Sequence, residues 1–495
     1  MNAPEVRRAS IASDASAVFA AQVMSHASVA ALLIALSHVL GTDRFGLYRL
    51  ALTIATIGAA ITSQGIAAVT GRYLSVAFAT GADEQQMAKR ALKLKLACSV
   101  ALALAMFALA QPIAVVLGEP RIERLIPFVA SIVIASDLTT WLVVVFQSTR
   151  RAASTLWMAA ARSICEISAA GIFVWLGFGT TGAIAANGLG YVAAAAVGVL
   201  LAARRLSLGG HSDNAPTTRE IVRFGRQIWY AELAFVGFAT VDQLMLQLFR
   251  GTQAVGIYDA AWQLATAPQL FGSAVAAAVA PRLAAADRAT ASSVFTNVTG
   301  LLVAFYAAVA LVVAAFARPI ASSVLDPSFA RSGDVFLGLS IYLFLAGLAP
   351  FASVTPNYLG ITHGRARIAL VTLVLNVLLN LALIPWLGVV GPALATAVAY
   401  SAYVGMHFRL CQNRLDLKKQ LIVQRACAGV GAGMIGVLAG KTLFSLLQGD
   451  DRLRTLGAVA LSVVVAGGFL VAFRVFRRDE LVAYGVPARL LYPRA

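Results

Sequence analysis

Charge is scarce in this chain. Asp, Glu, Lys and Arg make up 12% of its 495 residues, where an ordinary soluble domain carries about 25%. Beside a hydrophobic content of 60%, that scarcity excludes a water-soluble globule, which would have to expose much of its apolar surface. It points to a lipid bilayer. Negative charge is the rarer sign, with 22 acidic residues against 39 basic and a formal net charge of +17. The excess forms no compact basic face. Lys and Arg stand in small clusters between apolar runs, which is how membrane topology is written, so no nucleic-acid partner is expected.

Cysteine is also sparse. Cys98, Cys165, Cys411 and Cys427 fall in or at the ends of apolar runs, without metal-ligand spacing or a disulfide framework. They read as small packing residues. Catalytic signatures are missing: there is no Walker sequence, no glycine-rich nucleotide turn after a strand, no metal cluster and no triad. An enzyme is not expected, nor ATP hydrolysis, nor any cofactor or metal.

What the chain has is long apolar runs. A spanning helix needs about 20 apolar residues. Fourteen segments qualify, at about 15–40, 47–69, 91–117, 123–146, 155–177, 180–203, 227–249, 255–279, 291–317, 335–359, 366–387, 389–410, 423–447 and 455–475. The runs are long and rich in Ala and Leu, so they read as helices and not as the ten-residue alternations of a barrel. The first run is longer than a signal-peptide core and has no clear cleavage site, so it reads as a retained helix. With the N-terminus inside, the inner loops hold about 29 of the 39 basic residues and the outer loops about 10. The inner clusters include Lys89-Arg90-Lys93-Lys95, Arg204-Arg205, Arg414-Lys418-Lys419 and Arg474-Arg477-Arg478. Both termini are then cytoplasmic. The outer loop at 318–334 is the largest outward feature and is too short for a catalytic domain.

Two phrases return at nearly one offset. Gly41–Tyr48, GTDRFGLY, reappears as Gly251–Tyr258, GTQAVGIY, 210 residues later, with four of eight positions identical. Gly179–Tyr191, GTTGAIAANGLGY, reappears as Gly388–Tyr400, GVVGPALATAVAY, at an offset of 209. The chain therefore reads as all-α and integral to the membrane: about 14 transmembrane helices in two parallel six-helix repeats, plus two C-terminal helices. The expected layout is an N-terminal lobe at 1–203, a cytoplasmic linker at 204–226 and a second lobe at 227–411. Two further helices and a tail occupy 412–495. A hydrated pathway is expected between the halves. In the turns, glycine supplies a backbone of positive φ, and Tyr48 and Tyr258 are expected at the lipid–water interface.

The phrases in order resemble the polysaccharide-biosynthesis flippases, the Wzx-type branch of the MOP superfamily. The matching pieces are Gly41 to Tyr48, Asp242-Gln-Leu-Met-Leu, Val255 to Ala261, Pro281-Arg-Leu, and Asn376 to Pro385 followed by Gly388 to Thr396. They run in family order over most of the chain. The resemblance implies a bacterial inner-membrane protein that moves an oligosaccharide linked to undecaprenyl pyrophosphate from the inner to the outer leaflet. Its implied partners are that lipid-linked substrate, membrane lipids, and a polysaccharide polymerase with export machinery.

Ionisable residues inside spans are costly and so are site candidates. Arg162 and Glu166, at i and i+4, read either as an intrahelical ion pair or as an arginine that meets a pyrophosphate with a carboxylate beside it. Asp242, Asp137 and Glu166 are candidates for a coupling proton or Na⁺, and each carboxylate otherwise pairs with a neighbouring group. Asn376 and Asn380 share a helix face and read as helix glue or as sugar ligands. Arg72, Arg150, Arg226 and Arg282 at the inner mouth, and Arg49 after the outer turn, anchor topology or hold an anionic headgroup. His26, Glu232 and Lys441 read as packing or snorkelling residues.

Three other functions stand as rivals, with helices thirteen and fourteen counting against the first and the short outer loop against the third. A cation-coupled multidrug exporter of the same superfamily typically has twelve helices. A lipid II flippase can have fourteen. A membrane glycosyltransferase or polymerase often carries a large outer loop.

Overall fold

The computed structural model describes residues 3–63, 65–80, 85–205, 218–284, 286–359, 361, 364–473 and 475. They are helical almost throughout, with no strand among them. Residues 206–217 of the expected linker, and Arg474, Arg477 and Arg478 of the last basic cluster, lie outside the described residues. The chain forms two compact units, Met1–Gly256 and Ile257–Ala495.

The first unit holds α1 (Ala3–Ser63), α2 (Ile66–Thr80), α3 (Gln85–Ala108), α4 (Ala110–Val116), α5 (Arg121–Ser148), α6 (Ala153–Trp175), α7 (Gly179–Arg205) and α8 (Thr218–Arg250). The division falls inside α9 (Thr252–Thr266). Helix α5 is the buried centre, with α1, α2, α3, α4 and α7 packed on it. Its Trp141, Leu142, Val145 and Phe146 form a core with Met158 of α6 and Ala194 of α7. Helix α8 lies along α1, where the Trp229 indole donates to the Ala60 carbonyl at 2.9 Å and Ser63 donates to Glu232 at 2.5 Å.

The second unit holds α10 (Gln269–Val279), α11 (Arg288–Val324), α12 (Ser332–Gly338), α13 (Ser340–Tyr358), α14 (Arg365–Leu387), α15 (Gly391–Gln412), α16 (Lys419–Leu446) and α17 (Asp451–Ala472). Here α11 is the centre, against which α12, α13, α16 and α17 pack. Helix α16 approaches its neighbours through glycines. A Cβ on Gly429 would meet the Ala304 carbonyl at 2.3 Å, and one on Gly436 the Ser462 carbonyl at 2.4 Å. Lipid gives helices no hydrophobic drive to associate, so close backbone contact at small residues supplies the attraction instead.

Among the described residues, ten helices are long and apolar enough to cross a membrane. The pair Ser332–Gly338 and Ser340–Tyr358, bent by 50°, makes an eleventh. Two of the ten, Ser16–Ser63 and Arg365–Gln412, are 48 residues each. At about 1.5 Å per residue, each is more than twice the thickness of a hydrocarbon core of about 30 Å. Of the fourteen expected segments, the first two fall on α1 and the eleventh and twelfth on 365–412. The eighth is divided between α9 and α10. Apolar side chains point outward: Trp175 is 84% and Trp386 88% exposed, as a lipid-facing surface requires.

The four repeated turns share one backbone device. Gly41, Gly251, Gly179 and Gly388 have φ of 66°, 79°, 51° and 60°, and a Cβ on any of them would meet nothing within 4 Å. Conformation, not space, requires glycine there. The tyrosines that close the first two phrases differ from expectation. Tyr48 is 5% and Tyr258 1% exposed, with Tyr48 beside Phe45 and Tyr258 stacked on Trp262. Ring burial against neighbouring aromatics outweighs an interfacial position.

Candidate functional site

Helices α1, α6 and α7 bring a polar cluster together inside the first unit. Arg162 and Glu166 stand one turn apart on α6, with Nε 3.4 Å from Oε2. The Arg162 guanidinium also lies over the Tyr191 ring of α7, 4.0 Å from its centroid. Glu166 is 4% exposed and accepts from Asn187 Nδ2 at 2.6 Å. Arg49 of α1 is close enough for its charge to act on the same carboxylate. Gly190 lets α7 come this near: a Cβ there would lie 2.9 Å from that of Glu166 and 3.2 Å from the Arg162 carbonyl.

The Arg162 guanidinium and the Glu166 carboxylate form a partly buried ion pair. The side chain of Arg162 is 23% exposed while that of Glu166 is 5%. The cation is therefore the more accessible partner. A guanidinium presents donors in a planar fork that matches phosphate oxygens, and its face can rest on an aromatic ring at the same time. An anionic group suits this arrangement better than a cation does.

A second cluster surrounds Asp137 of α5. Lys95 of α3 lies 2.7 Å from its Oδ1, and the hydroxyls of Thr62 and Ser99 donate to its Oδ2. Lys95 and Asp137 are each 2% exposed. Lys95 thus departs from its expected place in an inner basic cluster, because a buried carboxylate in a low-dielectric interior needs a counter-charge.

The third cluster lies in the second unit. Asn376 of α14 donates to Thr396 of α15 at 3.1 Å, and Asn380 donates to Asn376 at 2.9 Å, with all three side chains fully buried. These amides join two helices. The pairs Glu166 with Asn187 and Asn376 with Thr396 stand at the spacing of the repeated phrases, 210 and 209 residues apart in sequence.

The remaining candidates lie on other elements. Asp242 is 3% exposed in α8. Arg72, Arg226 and Arg282 are exposed. Arg150 is exposed in a turn with φ of 52°, the one non-glycine residue of positive φ among the described residues. His26 is exposed with Nδ1 2.9 Å from the Gln22 carbonyl, and Lys441 is exposed. Sequence reasoning missed Lys95 as a partner. It also missed Asn187 and Tyr191, although both lie inside the second repeated phrase, which was the signal available.

A further group escaped notice altogether. Arg121 at the start of α5 binds Asp43 at 2.7 Å, Glu119 at 2.7 Å and the Thr252 hydroxyl at 3.2 Å. Thr252 also donates to Asp43. The Arg121 side chain holds the Glu119 carboxyl below its ordinary pKa.

Comparison with known proteins bears on both sequence and fold. Residues 12–287 match the family model described as polysaccharide biosynthesis protein. A probable low-salt glycan biosynthesis flippase, Agl15 of Haloferax volcanii, is 24% identical over 235 residues. The match takes in 44% of this chain and 49% of that relative, so the chain spans about half the relative's length. A solved structure of the lipid II flippase MurJ in an inward closed conformation superposes with a TM-score of 0.73 at 12% identity. It covers 93% of this chain and 98% of that one. An inward-facing multidrug resistance MATE family transporter of the MOP superfamily gives 0.65 at 16% identity, over 77% and 94% of the two chains. These likenesses establish the fold.

Proposed function

Because this chain belongs to the polysaccharide biosynthesis protein family, we propose that it flips a polyprenyl-diphosphate-linked oligosaccharide from the inner to the outer leaflet. The membrane is the bacterial inner membrane, the mechanism is alternating access, and the product serves surface or exopolysaccharide assembly. The observation that carries the reading is Arg162, partly exposed over the Tyr191 ring beside the buried Glu166. A diphosphate headgroup offers oxygens that suit the forked donors of a guanidinium. Asn187 and Glu166 hold Arg162 in place from below, while the polyprenyl tail stays in lipid.

The exposed Arg72, Arg150, Arg226 and Arg282 gather the anionic substrate before entry, and local positive potential raises its encounter rate. Asp242 is the coupling candidate in this scheme. The fourteen-span count, the duplicated lobes at 1–203 and 227–411 and the cytoplasmic termini belong to the same reading. They are supported by the two repeated phrases and by the positive φ at all four repeated glycines. A polymerase and export machinery are the partners that would consume the product.

A lipid II flippase is a second reading, favoured by the superposition on that fold at 0.73. Both substrates present a saccharide on a polyprenyl diphosphate, so the same guanidinium serves either. Depleting the protein separates the two. Loss of surface polysaccharide with normal growth supports the first reading, and arrest of cell-wall growth supports the second.

A further inference from the structure

The Lys95–Asp137 cluster has no part in the scheme above, and its chemistry is that of an occupied cation site. Asp137 is a carboxylate at 2% exposure in the centre of α5. Three other groups face it, from two different helices. Thr62 comes from the end of α1, and Ser99 and Lys95 come from α3, one turn apart. Each hydroxyl is also held to its own helix, Thr62 by the Gly58 and Ala59 carbonyls at 3.2 and 3.0 Å and Ser99 by the Lys95 carbonyl at 2.9 Å.

A carboxylate and two hydroxyls are hard oxygen donors, of the kind that bind alkali and alkaline-earth cations. Here the positive charge comes from the ammonium of Lys95, 2.7 Å from Oδ1.

We propose that Lys95 is a resident cation, occupying among Asp137, Thr62 and Ser99 the place that a free alkali ion would otherwise take. Three consequences follow. Asp137 is withdrawn from ion coupling, although a lone carboxylate in a span first reads as a coupling site. The pair locks α3 to α5 and, through Thr62, to the end of α1. Removing the ammonium alone leaves a buried carboxylate without a counter-charge, which is strongly destabilising until a cation from solution replaces it.

The test is the thermal melting of purified full-length protein in detergent, in NaCl, KCl or choline chloride at equal ionic strength. The comparison is between the wild type, Lys95→Ala and the double variant Lys95→Ala/Asp137→Asn. The wild type should melt at one temperature in all three salts. Lys95→Ala should melt lower in choline and recover by about 3 °C or more, saturably, in NaCl or KCl, as a ligand that binds only the folded state requires. The double variant, with no charge to balance, should not respond to the salt.

A saturable Na⁺ or K⁺ response in the wild type that Asp137→Asn abolishes would overturn the proposal. So would a Lys95→Ala protein that ignores the cation and recovers only at low pH, since a proton would then be the replacement. If Lys95→Ala folds in none of the salts while the double variant folds, no cation fills the site, and the proposal fails. The measurement needs no transported substrate, so its outcome is separate from that of the flippase reading.

Discussion

The carbonyl of Thr252 lies where a side chain on Gly46 would stand: a Cβ there would be 1.8 Å from that oxygen. The relation is reciprocal, because a Cβ on Gly256 would be 2.2 Å from the Thr42 carbonyl. The first repeated phrase and the opening of its second copy thus meet backbone to backbone. Asp43 and Arg121 bind Thr252 beside this contact.

Gly46→Ala and Gly256→Ala should therefore damage the protein more than Gly41→Ala or Gly251→Ala. At the first two positions backbone must shift to admit a methyl group. At the latter two there is room, and the cost is a positive-φ backbone that side chains rarely adopt, about 1–3 kcal/mol. Yield and melting temperature of the purified variants check the order. Equal losses at all four positions would contradict it.

Arg162→Ala should lower transport at least about tenfold, the loss of one charged contact of about 1.5–3 kcal/mol, while membrane insertion stays intact. Arg162→Lys should restore only part of it, since an ammonium lacks the planar fork and the stacking face over Tyr191. Asp242→Asn should lower transport with unchanged melting. Transport by each variant in cells, normalised to protein in the membrane, reads both effects.

Asn376→Ala and Thr396→Val should be non-additive, because each removes one end of the same buried hydrogen bond. A double-mutant cycle on melting should return a coupling of about 0.6 kcal/mol, and below about 1.7 kcal/mol. Additivity would mean that the two groups act separately.

Glu119 gives a pH dependence of definite sign. The hydrogen bonds from Arg121 outweigh burial and hold its carboxyl below the ordinary value. A depressed folded-state pKa contributes stability above the unfolded value of about 4.3, and that contribution is lost as pH falls through the folded value. Melting should fall as the pH drops below about 4.3, and Glu119→Gln should flatten that part of the curve. Because the Arg121 side chain is 46% exposed, the effect is modest and should shrink in high salt.

The sequence revealed most where local rules decide structure. Run length and low charge identify spanning helices, and the recurrence of Gly41 and Gly251 marks turns whose φ proves positive. The number of spans was harder to read. Within α1 two helical stretches meet at a kink at Gly41, where φ is 66° and ψ 176°, while α9 and α10 divide one apolar run. Partners were the least legible feature. Arg162 and Glu166 are paired by their spacing on one helix, but Lys95 and Asp137 are 42 residues apart. Lys95 also follows three other basic residues within seven positions, so it looks like part of a cytoplasmic cluster. Only the crossing of α3 with α5 makes it a counter-ion.

The most direct test is leaflet exchange in proteoliposomes that carry a fluorescent polyprenyl-diphosphate oligosaccharide, scored by protection of the label from an external quencher. Wild-type protein should make both leaflets accessible, and Arg162→Ala protein, inserted to the same level, should be at least about tenfold slower. Exchange no faster than in protein-free vesicles would contradict the proposed activity, and equal rates for both proteins would remove the arginine cluster from the path of the headgroup.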